Sequence, residues 1–336
     1  MKYEYNKQNG FDDTNDFKCL QNGPNIVVIG GGTGLSTLLK GIKEHSSNIT
    51  AIVTVTDDGG SSGRLREEMG ILPPGDIRNC IVALADKETL MEKVLQYRFK
   101  NGDLAGHSLG NLFLAAMSEV CGSFYEGIKA LSGILAIRGK VIPTTLHDVK
   151  SGAELIDDST VLGEYNISKS NKRIKRVFLT PEDCKPVAEA ICAIETADII
   201  ALGPGSLYTS VISGLLVKDI VNAIENSNAL KIYICNVMTQ PGETAGYTAS
   251  EHLRAITDHA GDIVEYIMVN TQVPPASLLK KYELKGAEVV YVDTGDIKRM
   301  GVKLVERNLI LETDVLRHNP KKLAEAIIDL YRSTKG

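Results

Sequence analysis

The sequence predicts an α/β protein with a Rossmann-like, open and mainly parallel sheet carrying helices on both faces. Short β-branched runs alternate with segments of helical spacing, and several of these runs end in glycine-rich loops that lead into a helix. The chain has 336 residues, 43% hydrophobic and 24% charged, which suits one sheet of this kind. Lys and Arg total 37 against 42 Asp and Glu, a formal charge of -5, which argues against a dedicated nucleic-acid binder.

Residues 1–24 are polar and acidic, without a basic or apolar leader, and are predicted to be a disordered tail. Residues 25–336 are expected to form one Rossmann-like domain. Ile26-Val27-Val28-Ile29 reads as its first strand. It stops at Gly30-Gly31-Gly32-Thr33-Gly34, and Leu35 to Ile42 has helical spacing. The next strand, Thr50 to Thr56, ends in Asp57-Asp58-Gly59-Gly60-Ser61-Ser62-Gly63. After Pro73-Pro74-Gly75, Asp76 takes an N-cap position before the helix Ile77 to Ala85. Helices over Glu88 to Phe99, Leu112 to Val120 and Phe124 to Leu135 predict a helical cap over about 86–137. The apolar faces of the last two suit either core burial or a homo-oligomer contact.

Between about 140 and 180 the period changes to two, predicting an antiparallel β insertion that includes Val141-Ile142-Pro143, Ala153-Glu154-Leu155, Val161 to Tyr165 and Val177-Phe178-Leu179. Alternation then resumes with strands at Ile199 to Leu202, Lys231 to Val237, Tyr266 to Asn270 and Val289 to Asp293, and a final helix at Lys321 to Arg332. The six cysteines, Cys19, Cys80, Cys121, Cys184, Cys192 and Cys235, show no paired metal-ligand spacing. No apolar stretch reaches the length of a membrane span, so no membrane association is expected, and a cytoplasmic location follows.

Glycine loops at the ends of neighbouring parallel strands point to a phosphate or nucleotide, because the backbone there can approach a ligand and present free N–H groups. The first loop has no Lys after Gly34, so it is not a P-loop, and Leu35 stands where a dinucleotide fingerprint has its third glycine. A plain strand-to-helix turn is the alternative. Candidate ligand contacts are Gly31, Gly32, Thr33 and Gly34, then Asp58, Ser61 and Ser62, then Asp76 and Asn79, with Asn111 from the cap. The third loop adds Gly203, Gly205, Ser206, Tyr208 and Thr209, and the fourth adds Asn236, Thr239, Gln240 and Glu243, whose neutral groups suit a sugar or base edge. Asp57 is the candidate Mg²⁺ ligand. If the chain catalyses, Asp57, Arg78 and His107 are the candidates, although no nucleophile stands out and Mg²⁺ is the one cofactor in view. The basic stretch Lys169 to Arg176 reads as a solvated edge strand guarded by lysines.

Six ordered motifs sharpen this reading: Val27 to Ser36, Thr56 to Arg66, Pro73 to Asn79, Gly106-His107-Ser108-Leu109-Gly110-Asn111, Gly203 to Ser210, and Cys235-Asn236-Val237-Met238-Thr239-Gln240. Together they resemble the gluconeogenesis factor (YvcK-like) family, within the superfamily of 2-phospho-L-lactate transferase (CofD), from about Ile26 to the last helix. The resemblance implies a regulatory protein that binds a UDP-sugar such as UDP-N-acetylglucosamine. It also implies control of cell shape and wall synthesis during gluconeogenic growth, with protein partners in cell-wall synthesis. The transferase relatives move a phospholactyl group from a guanosine diphosphate donor to a deazaflavin with Mg²⁺, and their glycine loop and aspartate match Gly31 to Gly34 and Asp57. A Mg²⁺-dependent transferase is therefore the alternative.

Overall fold

The computed structural model describes residues 23–86, 90–170, 172–312 and 315–335. Cys19 and nearly all of the expected tail lie outside these residues. Seven strands form the main sheet: β1 (Ile26–Gly30), β2 (Ile49–Val53), β3 (Lys140–Pro143), β7 (Ile199–Leu202), β8 (Leu230–Ile234), β9 (Tyr266–Asn270) and β10 (Lys303–Arg307). Their spatial order is β10-β9-β8-β7-β1-β2-β3, and every neighbouring pair is parallel. Every residue of β1 and β7 is buried, which explains why these strands read as unbroken apolar runs rather than alternating ones. Helix Gly32–Ile42 packs against Pro74–Leu84 and the final helix Pro320–Lys335, while Ala188–Glu195 packs with Ile220–Asn226.

The chain runs outward from β1 to β3 on one side and from β7 to β10 on the other. The direction of travel therefore reverses between β1 and β7, and the crevice of an open α/β sheet lies at such a switch point.

Three expectations require correction. The segment Val141-Ile142-Pro143 is not part of the insertion: as β3 it pairs parallel with β2 at the sheet edge, with Ile52 opposite Ile142. The insertion is a three-stranded antiparallel sheet of β4 (Lys150–Leu155), β5 (Thr160–Leu162) and β6 (Ile174–Thr180), and Glu164 and Tyr165 begin a short helix, Glu164–Lys169, rather than continue a strand. Val289 to Asp293 forms no strand, only isolated bridges from Val289 to Met238 and from Tyr291 to Thr248.

The cap consists of Leu90–Gln96, Leu109–Val120 and Phe124–Ile134, the last two capped by Ser108 and Ser123. Lys172, Arg173 and Lys175 pair with Asp157, Glu251, and Glu154 with Asp158, consistent with a solvated edge. An antiparallel hairpin of β11 (Ile310–Glu312) and β12 (Leu316–His318) shares a small apolar cluster with Leu278 of helix Ala276–Glu283 and with Val237. Among the described residues no single helix is long and apolar enough to cross a membrane. Cys80, Cys184 and Cys235 are buried free thiols.

Candidate functional site

At the switch point, the first and third glycine loops interlock. Gly32 has φ +70°, a left-handed conformation that favours glycine. A Cβ on Gly34 would lie 2.5 Å from the Pro204 carbonyl oxygen, so this glycine serves loop-to-loop packing as well as ligand approach. Beside them opens a cleft of about 440 Å³. Gly32, Thr33, Gly34, Gly205 and Ser206 form one wall, and Asn236, Thr239 and Gln240 form the next. The far wall comes from residues the sequence reading did not single out: Tyr282, Lys285, Arg317 and His318. A larger hollow of about 540 Å³ lies at the opposite, amino ends of the strands, around Asn25, Ile49 and Lys140. Ligands of open α/β sheets bind at the carboxyl ends, which favours the smaller cleft.

The cleft is held by neutral hydrogen bonds. Ser206 Oγ donates to Gln240 Oε1 at 2.9 Å, and Asn236 Nδ2 donates to the Gly205 carbonyl at 2.8 Å. Thr239 Oγ1 accepts from the Glu288 N–H at 2.9 Å. Lys285 and Arg317 are exposed, and neither has an ion-pair partner among the described residues. They bring two positive charges to a surface that also carries amides, hydroxyls and apolar groups such as Val237, Met238, Ala287 and Leu316. Burial holds His318 down at about 4, so its ring is neutral at pH 7.

Several expected phosphate donors are already occupied by the chain's own carboxylates. Asp76 does not cap its helix: Pro73 takes that position, and Asp76 Oδ2 accepts from the Gly32 N–H at 2.5 Å. Burial, with the nearby Asp57 charge, pushes the Asp76 carboxyl up to about 6, while Asn79 hydrogen-bonds it. The loop after β7 enters a π-helical turn, Leu207–Ile212. Glu243 accepts there from the Tyr208 N–H at 3.1 Å, the Thr209 N–H at 3.4 Å and the Thr209 hydroxyl at 2.9 Å. Tyr208 and Thr209 are thus buried, and the Tyr208 hydroxyl meets that of Tyr247 at 2.9 Å. Ser206 heads this turn without a side-chain capping bond. Gly31, Gly203, Tyr208, Thr209 and Glu243 support the cleft from behind rather than line it.

The second glycine loop folds into the helix Gly60–Met69, which buries Ser61 and Ser62 in its first turn. Asp57 Oδ1 accepts from the Gly59 N–H, and Asp58 Oδ1 accepts from the Tyr165 N–H, both at 2.9 Å. Glu164, which sequence reasoning missed, joins this half of the crevice. Burial and the charges of Asp57, Glu243 and Asp76 push its carboxyl well above the usual range. Among the described residues, no group of three His, Cys, Asp or Glu side chains is arranged to hold a metal ion. His107 Nδ1 lies 3.0 Å from Ser61 Oγ, which also accepts from Asn111 Nδ2 at 3.1 Å. Burial and the Arg64 charge lower the His107 pKa. The expected grouping of His107 with Asn111 is therefore seen, with Ser61 as the common partner.

The fold and crevice define a parallel α/β protein with a cation-bearing cleft of mixed polar and apolar lining at its switch point. The chain belongs to the CofD family: the family profile described as 2-phospho-L-lactate transferase CofD matches residues 26–310. It is 53% identical over 308 residues to the "Gluconeogenesis factor" of Halalkalibacterium halodurans, covering 91% of this chain and 96% of that protein. It is 48% identical over 312 residues to the "Gluconeogenesis factor" of Bacillus subtilis, covering 92% and 98%. A crystal structure of a Bacillus halodurans protein superposes with a TM-score of 0.89 at 53% identity, covering 91% of this chain and all of that one.

Proposed function

We propose that this chain is a cytoplasmic, UDP-sugar-binding regulatory protein of gluconeogenic growth. The observation that carries the reading is the switch-point cleft, with a glycine turn on one side and Lys285 and Arg317 on the other. The diphosphate of a ligand such as UDP-N-acetylglucosamine would rest over Gly32 to Gly34 with these two cations as countercharges. Uracil or sugar edges would meet Asn236, Thr239 and Gln240. The relatives' name, gluconeogenesis factor, supports the metabolic side of the reading. Control of cell shape through a protein partner in wall synthesis belongs to the same proposal.

Calorimetric titration with UDP-N-acetylglucosamine, and with GDP as the contrast, each with and without Mg²⁺, tests it. Uridine-sugar binding without Mg²⁺, weakened about tenfold in Arg317→Gln with unchanged thermal stability, is the expected result. No uridine-sugar response rejects the proposal.

The family profile and one structural observation favour a second reading, a Mg²⁺-dependent group transferase. The Asp57 charge helps raise the Asp76 pKa, a repulsion that a divalent cation relieves. Asp57 and Asp76 are the residues that would hold Mg²⁺, whose contribution there is neutralisation of a donor diphosphate. GDP binding that requires Mg²⁺ and is lost in Asp57→Asn would favour this reading.

A further inference from the structure

Away from the cleft, where helices Gly60–Met69 and Pro74–Leu84 meet the start of the helical cap, lie arginines that the proposed nucleotide site does not use. Arg78, on helix Pro74–Leu84, is 7% exposed, and among the described residues its guanidinium has no hydrogen-bond or ion-pair partner. Its aliphatic stem lies against Gly110, where an added Cβ would come within 2.8 Å of Arg78 Cδ. Arg64, on helix Gly60–Met69, donates from Nη2 to the Ala105 carbonyl at 2.8 Å. Arg98 donates to the next carbonyl, that of Gly106. Neither makes an ion pair among the described residues.

Two guanidiniums thus meet the carbonyls of residues 105–106, the Arg78 stem packs on Gly110 close by, and among the described residues no carboxylate forms an ion pair with any of the three. Asp76 acts on Arg78 through its charge alone while its Oδ2 accepts from the Gly32 N–H, and Glu68 acts through its charge on His107. A buried cation without a counter-ion is costly, and an anion supplied from outside removes that cost. The guanidinium fork matches phosphate geometry. Exposure rises from buried Arg78 through half-buried Arg64 to exposed Arg98, which grades the cations from interior to surface. Beside them, Asn111 Oδ1 is buried and has no donor, while its Nδ2 is held by Ser61. That oxygen suits a ligand hydroxyl.

We propose that Arg64, Arg78 and Arg98, with Asn111, form a phosphate-binding site for a second, small phosphorylated ligand, separate from the switch-point cleft. Arg78 binds the phosphate at the base, and Arg64 and Arg98 bind it at the mouth. The inference does not rest on the identity of the nucleotide in the cleft.

The test is calorimetric titration of the full chain with inorganic phosphate and with glycerol 3-phosphate. The comparison set is wild type, Arg64→Gln, Arg98→Gln, Arg78→Lys, and Lys285→Gln as the control in the other half. The expected result is millimolar or tighter binding of one or both probes, weakened at least about tenfold by each arginine substitution and kept in Lys285→Gln. Inorganic phosphate bound more tightly identifies the free anion as the ligand, and glycerol 3-phosphate bound more tightly identifies a hydroxylated ester. Arg64→Gln and Arg98→Gln replace surface contacts to carbonyls, so they keep the test valid if Arg78→Lys does not fold. Absence of binding by either probe, unchanged binding in Arg64→Gln and Arg98→Gln, or loss of binding in Lys285→Gln would overturn the proposal.

Discussion

The crevice has two halves that differ in how their backbone donors and charges are matched. Over β1 and β2, carboxylates dominate: burial with the Asp57 charge raises the proton affinity of Asp76 and of Glu164, and Asp76 occupies the Gly32 N–H from inside the fold. Between β1 and β8, the lining mixes amides and hydroxyls with apolar side chains such as Val237, Met238 and Leu316, and Lys285 and Arg317 have no ion-pair partner among the described residues. Both halves begin as glycine-bearing loops at strand ends. A helix N-terminus becomes an anion site only where its N–H groups are left free, and here Asp76 and Glu243 decide which ones are.

The largest expected effect separates packing from binding at the first loop. Gly34→Val drives a side chain into the Pro204 carbonyl, which lies 2.5 Å from the position of its Cβ. A loss of about 4 kcal/mol or more in urea unfolding is expected, because backbone cannot move aside as a side chain can. A fully stable Gly34→Val that merely fails to bind nucleotide would mean that the glycine serves the ligand alone.

Next comes Glu243→Ala, which strips the acceptor from the Tyr208 and Thr209 N–H groups. Stability is expected to fall by about 2 kcal/mol, and the Gln240 side chain, bonded to Glu243 Oε1 at 3.1 Å, loses its anchor at the cleft wall. If stability holds and nucleotide-sugar affinity rises instead, Glu243 competes with the ligand rather than supporting its site.

The smallest effect depends on pH. The Asp76 carboxyl titrates at about 6 in the fold against 3.8 ordinarily, so protonation stabilises the fold, fully below about 3.8 and not above about 6. Asp76→Asn keeps an acceptor for Gly32 without the charge. It is expected to be more stable than wild type at pH 7.5 by about 1–2 kcal/mol, and equal to it near pH 4. A pH-independent difference would show that the two halves are not distinguished by buried charge.

Much of the fold was legible in the sequence. The runs Ile26 to Ile29 and Ile199 to Leu202 announce buried parallel strands because both faces of the sheet are covered. The loops that follow them announce the crevice. Val141-Ile142-Pro143 reads as part of the insertion because a short apolar run carries no mark of its partner, and only its pairing with β2 reveals it as a parallel edge. In the site, Gly32 to Gly34, Gly205, Ser206, Asn236, Thr239 and Gln240 were predicted together because each follows a strand end.

Local pattern by itself determined the strand-loop-helix units and the polar character of the strand-end loops, since backbone freedom and hydrophobic period are properties of neighbours in the chain. Only the tertiary structure decided which loop donors are filled by Asp76 and Glu243, and which remain at an open surface. It also decided that Lys285 and Arg317 line one cleft with Gly32 and that Arg64 and Arg98 meet residues 105–106 beside the Arg78 stem at Gly110. Those pairings join residues far apart in sequence, and burial and charge act through space without regard to that separation.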